Sequence, residues 1–247
     1  MAKIGIFDSG VGGLSVFREI YKLLPGEDYI YFADNANCPY GEKSPELIRE
    51  YSSRIASDMI EAGAQAIVVA CNTATSAAIA TLRERFSVPF IGMEPAIKPA
   101  ANGTRAGVVG VLATKGTLSG AKYHGIKEQY GADVRIVESV GDGFVELVES
   151  GELDGAHTRE VVERSLRPIM DAGADVVVLG CTHYPFLLPV LQKIAGDGVR
   201  FIDPAPAIAA RLLDVLSSNG IALNGGTDGH REYYASGSTE VLDRMKW

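Results

Sequence analysis

One twelve-residue segment occurs twice in this chain, and that repeat limits what the chain can fold into. AGAQAIVVACNT (Ala62–Thr73) and AGADVVVLGCTH (Ala172–His183) align without a gap, sharing Ala-Gly-Ala, one Val and the Cys. Each reads as a helix end, a turn, a short apolar strand and then a cysteine. Continuous apolar runs of this length, alternating with helical stretches, mark a parallel sheet covered on both faces. Ile4–Ser9 matches Val109–Thr114 at nearly the same offset. That second pairing alone is no more than the general likeness of helix–strand units. A Cys at the same step past the strand in the first pairing points instead to an ancient duplication.

Lys3–Phe7, Tyr29–Ala33, Ala66–Ala70, Ala106–Leu112, Val134–Val137 and Val176–Leu179 read as strands. Leu14, Phe17, Tyr21 and Leu24 fall at helical spacing and stop at Pro25-Gly26. Leu47, Tyr51, Ile55 and Met59 mark a second helix, and Leu118–Tyr130 and Thr158–Met170 two more. The expected fold is α/β: two pseudo-symmetric lobes, each a mostly parallel sheet flanked by helices, with the active site between them. Residues 1–97, completed by 208–247, are expected to form the first lobe, and 98–207 the second. A linker is expected from Glu94-Pro95 to Asn102-Gly103, and a return crossing at Asp203-Pro204-Ala205-Pro206, where prolines interrupt regular structure.

Charge and cysteine usage narrow the partners. The formal net charge is −8, from 31 acidic and 23 basic residues, which disfavours nucleic acid and anionic membrane. An acidic small molecule stays allowed, because helix N-termini make a site locally positive. Three cysteines do not make a disulfide framework. Met1–Asp8 runs straight into a strand, so no secretory leader is expected, and no apolar run is long enough to span a bilayer. The expected compartment is the reducing cytoplasm.

In open parallel sheets, ligands bind beyond the carboxyl ends of the strands. Four motifs fall there: Asp8-Ser9-Gly10, Cys71-Asn72-Thr73, Thr114 and Cys181-Thr182-His183. If a twofold axis relates the lobes, the rims face each other, and Cys71 and Cys181 approach a ligand from opposite sides. Inverting an α-carbon without a cofactor needs one group to remove a proton and another to return one to the opposite face. A thiol with a reference pKa of about 8.5 can do either, according to its ionisation. A helix start after Cys71 favours its thiolate, and the same N–H groups, with Asn72 and Thr73, would hold a carboxylate. Thr182 would do likewise in the other lobe.

Each candidate also has a plainer reading. A lone Cys after a buried strand is ordinarily a small core side chain. Two at matched sites, each followed by amide or hydroxyl side chains, point to chemistry. Asp8 either pairs backbone N–H groups of its Gly-rich turn or orients substrate and assists Cys71. His183 either caps a helix or is a proton partner of Cys181. Glu149 reads as part of a solvated helix face, Tyr40-Gly41 as an ordinary turn, and Cys38 as incidental. Asp8–Gly13 is not G-x-G-x-x-G, and Lys115-Gly116-Thr117 has the wrong order for a P-loop, so nucleotide binding is weakly supported. Zinc on Cys71, Cys181 and His183, or thiol redox chemistry, would have to do without a CxxC pair.

FDSGVGGL (Phe7–Leu14), CPYG (Cys38–Gly41), VACNTAT (Val69–Thr75) and LGCTHYP (Leu179–Pro185) resemble the glutamate racemase family over nearly the whole chain. The resemblance implies that Cys71 and Cys181 are the acid/base catalysts, with Asp8 assisting Cys71 and His183 and Glu149 assisting Cys181. It also implies substrate contacts from Asp8, Ser9, Tyr40, Gly41, Asn72, Thr73, Thr182 and His183. The implied reaction interconverts L- and D-glutamate for peptidoglycan, with no cofactor and no metal; a homodimer is allowed, but the sequence does not fix the oligomeric state. A response to a cell-wall precursor and gyrase binding, found in some members with a longer N-terminal extension, are not expected here.

Overall fold

Ile4–Phe7 carries no polar side chain because both faces of the strand it lies in are covered; that strand, β1 (Lys3–Asp8), is at the centre of a parallel sheet. The computed structural model describes residues 2–131 and 133–247. Two compact units emerge: one takes the chain up to Met93 and again Ala205–Trp247, the other Glu94–Pro204. In the first unit β1 is followed by α1 (Leu14–Leu23), β2 (Asp28–Ala33), two short 3-10 turns, α2 (Pro45–Glu61), β3 (Ala66–Val69), α3 (Asn72–Arg85) and β4 (Phe90–Gly92). The second unit holds α4 (Ile97–Gly103), β5 (Val108–Ala113), α5 (Lys115–Leu118), α6 (Ala121–Tyr130), β6 (Arg135–Val140), α7 (Phe144–Ser150) and α8 (Ala156–Asp171). It continues with β7 (Val176–Gly180), a 3-10 turn, α9 (Leu188–Ala195) and β8 (Arg200–Ile202). The chain returns to the first unit as α10 (Ala205–Ser218), β9 (Arg231–Ala235) and α11 (Glu240–Met245).

The first sheet has the order β4-β3-β1-β2-β9 and the second β6-β5-β7-β8, with every pairing parallel. Read from its other edge, the second sheet runs β8-β7-β5-β6, the order of β4-β3-β1-β2. The repeated sequence is thus a repeated topology: Ala62–Thr73 supplies β3 and Cys71, and Ala172–His183 supplies β7 and Cys181. Phe7 pairs with Val69, and Ala113 with Gly180. Each cysteine therefore leaves its sheet beside the end of the central strand.

Local chemistry explains the helices that position these ends. Ser44 accepts a hydrogen bond from Leu47 N and Pro45 occupies the first turn, which starts α2. Leu14, Val16, Phe17 and Ile20 bury one face of α1. In the first unit Phe7, Ile67 and Val69 pack with Ile55, Met59 and Leu82. In the second, Val109, Val111, Val176 and Val178 pack with Ile97 and Tyr123.

Three details differ from expectation. The expected linker contains α4, because Ile97 and Ala100, one turn apart, are both fully buried in the second core. The helix expected over Leu118–Tyr130 is split at Ser119-Gly120 into α5 and α6. Pro206 does not interrupt structure but lies in the first turn of α10, where its missing N–H would have had no intrahelical partner. Among the described residues no helix is long and apolar enough to cross a membrane.

Leu82 is fully buried on α3, the helix that Cys71 begins. Leu82→Ala should cost about 2–5 kcal/mol of unfolding free energy, read from the midpoint of urea denaturation.

Candidate active site

A helix start leaves backbone N–H groups without intrahelical acceptors. At the end of β1, Asp8 meets this need. Its Oδ2 accepts from Gly13 N at 2.9 Å and Gly10 N at 3.3 Å, and the side chain is fully buried. Tyr31 donates its hydroxyl to Gly10 O at 2.8 Å. Gly13 completes the turn by lacking a side chain: a Cβ there would lie 2.7 Å from Asp8 Cβ and 2.9 Å from the Tyr31 oxygen. Asp8 therefore does pair the backbone of its turn, whatever further role it has.

Cys71 is the N-cap of α3. Its Sγ accepts from Ala74 N at 3.4 Å, and its thiol lies within 3.7 Å of Ser9 Oγ. An N–H at a helix start aimed at sulfur favours negative charge there. Asn72 and Thr73 follow, both buried. Both polar atoms of the Asn72 carboxamide are without a hydrogen-bond partner among the described residues. Leaving such a group buried and unmet costs about 1–3 kcal/mol, a cost that a polar ligand would relieve. Thr75 donates to Val69 O at 3.2 Å and accepts from Met93 N at 3.0 Å, tying α3 to the strand ends.

Tyr40, buried in the second 3-10 turn with Gly41 beside it, donates its hydroxyl to Asp34. Burial, and then the bond to Asp34, raise its pKa well above the ordinary tyrosine value; the charges of Asp34, Cys71 and Asp8 add to the rise. Tyr40 is therefore a neutral donor in an acidic neighbourhood shared with Asp8 and Cys71. Asp34 was not singled out in the sequence. Its one clue is position, directly after β2 as Cys71 nearly follows β3, and its N–H donates to Asp8 O at 2.9 Å.

The second unit is arranged differently. Cys181 follows β7 and is nearly buried, as are Thr182 and His183. Cys181 Sγ lies 3.7 Å from His183 Nδ1, and His183 Nε2 lies 2.6 Å from Glu149 Oε1. A carboxylate in its ionised form only accepts, so in the contact with Glu149 Nε2 is the donor; in a neutral imidazole Nδ1 then faces the thiol with its lone pair. His183 makes no side-chain capping bond to the 3-10 turn it precedes, which removes the capping alternative. Glu149 is not on a solvated face: its side chain is 19% accessible and engaged with the imidazole. Thr114, at the end of β5, caps α5 by accepting from Thr117 N at 3.2 Å. Cys38 is half-exposed.

Residues 4–212 match the sequence profile of the Asp/Glu/hydantoin racemase family. The chain belongs to that family. Glutamate racemase of Pseudomonas aeruginosa is 48% identical over 245 residues, which cover 99% of this chain and 92% of that protein. Escherichia coli glutamate racemase, solved with L-glutamate and the activator UDP-MurNAc-ala, has a TM-score of 0.88 and 36% identity, over 99% of this chain and 92% of that one. Glutamate racemase of Francisella tularensis, solved with D-glutamate, has a TM-score of 0.84 and 28% identity, over 99% and 93%. Within the Asp/Glu/hydantoin racemases, this enzyme groups with those that carry the glutamate racemase name.

In this racemase Tyr29, Tyr40 and Tyr184 are all raised in pKa, in each case first by burial. Above about pH 10 the tyrosines of the unfolded chain ionise while these stay protonated. The folded state then holds more protons than the unfolded one, so stability is full below pH 10 and falls as pH rises past it. Urea midpoints measured from neutral to strongly alkaline pH should show that fall, and Tyr40→Phe should make it shallower.

Proposed function

We propose that this racemase interconverts L- and D-glutamate, with Cys71 and Cys181 as its two acid/base catalysts. The observation that carries this is the matched placement of the thiols after β3 and β7, at equivalent points of two sheets that share a four-strand order. Both glutamate enantiomers occur in the solved relatives, one in each structure. Inversion requires the thiols to reach one α-carbon from opposite faces. One begins a turnover as thiolate and takes the α-proton; the other begins as thiol and gives its proton to the opposite face. Their states are then exchanged, which suits the reverse direction. No cofactor is invoked, because the two sulfurs account for both proton transfers.

The geometry of each half supports a choice of helpers. Ser9 and the Ala74 N–H stabilise sulfur at Cys71, with Asp8 beside them, and Asp8 is proposed to assist that transfer. At Cys181, His183 accepts or returns a proton while Glu149 holds the imidazole and offsets its charge. The charge that develops on the substrate carboxylate would be met by Asn72, Thr73 and the start of α3, with Thr182 on the other side. Ser9, Tyr40 and Gly41 complete the proposed contacts. We extend the proposal to D-glutamate made in the cytoplasm for peptidoglycan, in keeping with the bacterial relatives.

Polarimetry or circular dichroism with each enantiomer tests the core of this. Either should reach the same racemic endpoint, with equal kcat/KM because the equilibrium constant between enantiomers is one. Cys71→Ser and Cys181→Ser should each lose about 10²–10⁴ in rate. Wild-type activity in either would overturn the mechanism, and turnover of aspartate alone would overturn the substrate. Activity should survive chelators and show a bell-shaped pH profile; loss to chelation with stoichiometric zinc would favour a metal–thiol protein instead.

A further inference from the structure

Tyr184 takes no part in the proton transfers above, yet it is fully buried and directly follows His183. Its hydroxyl donates to Gly141 O at 3.3 Å, and its ring meets Phe144 edge-on with centroids 4.9 Å apart. Gly141 must be a glycine for this: a Cβ there would lie 2.5 Å from the Tyr184 oxygen and 2.6 Å from Cζ. The same Gly141 donates its N–H to Ala113 O at 3.1 Å, and its carbonyl accepts from Phe144 N at 3.2 Å. The start of α7 is thereby pinned to the end of β5. Five residues after Phe144, about 7.5 Å along the helix axis, Glu149 binds His183 Nε2.

Two neighbouring residues thus dock on one short helix, Tyr184 at its start and His183 near its end. The seat of Tyr184 holds the backbone that carries His183, and Glu149 holds the far nitrogen of its ring. Both together fix its plane, and with it the 3.7 Å approach of Nδ1 to Cys181. We infer that Tyr184, seated on Gly141, is a positioning residue that sets the orientation of the His183 imidazole between Glu149 and Cys181. The catalytic consequence rests on the acid/base role proposed for Cys181; the orientation itself does not. Burial and the neighbouring Cys181 hold the Tyr184 hydroxyl protonated, so it remains a donor throughout the working range.

Two variants test this. Gly141→Ala pushes the ring off its seat, and Tyr184→Phe removes only the hydroxyl bond. The chain has four histidines, and ¹⁵N spectra of the full protein, with His183→Asn to identify the signals, report the His183 tautomer. The wild type should hold the proton on Nε2. Gly141→Ala should give mixed tautomers and lower kcat about 10–100-fold with little change in KM, the scale expected for a misplaced catalytic group. Tyr184→Phe should move the same signals less. With α-deuterated substrates, the isotope effect should rise for the enantiomer deprotonated at Cys181 and fall for the other, a split that general damage to the fold would not produce. An unchanged His183 spectrum in folded Gly141→Ala, or in Tyr184→Phe if the first does not fold, overturns the inference. A Cys181→Ser protein with full activity would instead overturn the two-base mechanism and leave the spectra to decide the positioning role.

Discussion

Buried backbone N–H groups at the ends of parallel strands must be paired, and that requirement shapes the chemistry of this chain. Only small acceptors fit where a covered strand passes into a helix. Asp8 meets the need at α1, Cys71 at α3 and Thr114 at α5. The residues that finish the backbone are therefore the residue types that can bind or move protons. Cys181 is the exception, and its setting follows from the exception. It is followed by a 3-10 turn, with His183 already in helical conformation, so an imidazole stands near its sulfur where Cys71 has an N–H.

That difference gives the two thiols unlike surroundings in spite of their matched origin. Around Cys71, the Ala74 N–H and the Ser9 hydroxyl are hydrogen-bond partners that do not change protonation near neutral pH. Around Cys181, the partner is an imidazole, a group that can accept or give a proton, backed by a carboxylate 2.6 Å from its far nitrogen. The duplication to which the sequence repeat points would account for the shared sheet order, but not for the difference at the strand ends.

Much of this was legible in the amino-acid order. Apolar runs mark strands because parallel sheets are covered on both faces, and the repeat marks both cysteines. Three-residue strands such as β4 and β8 are too short to announce themselves, and α4 offers only Ile97 and Ala100 as buried positions. Glu149 lay outside pattern reading for another reason. Its partner His183 is 34 residues away, and nothing periodic in a seven-residue helix distinguishes that carboxylate from its solvated neighbour Glu146; only family resemblance singled it out. Asp34 and Tyr40 pair across a loop whose path no spacing rule describes. Gly141 reads as an ordinary turn residue until Tyr184 is seen where its Cβ would be.

The fifth strand of the first sheet has a consequence in time. β2 ends at Ala33, and the strand that covers its open edge, β9, begins only at Arg231. The unit formed by Glu94–Pro204 lies wholly within that interval and has every strand of its sheet by Ile202. During synthesis the residues that leave the ribosome first therefore wait for the last ones to complete their sheet, with the edge of β2 uncovered meanwhile. The unit encoded in the middle of the chain can close first.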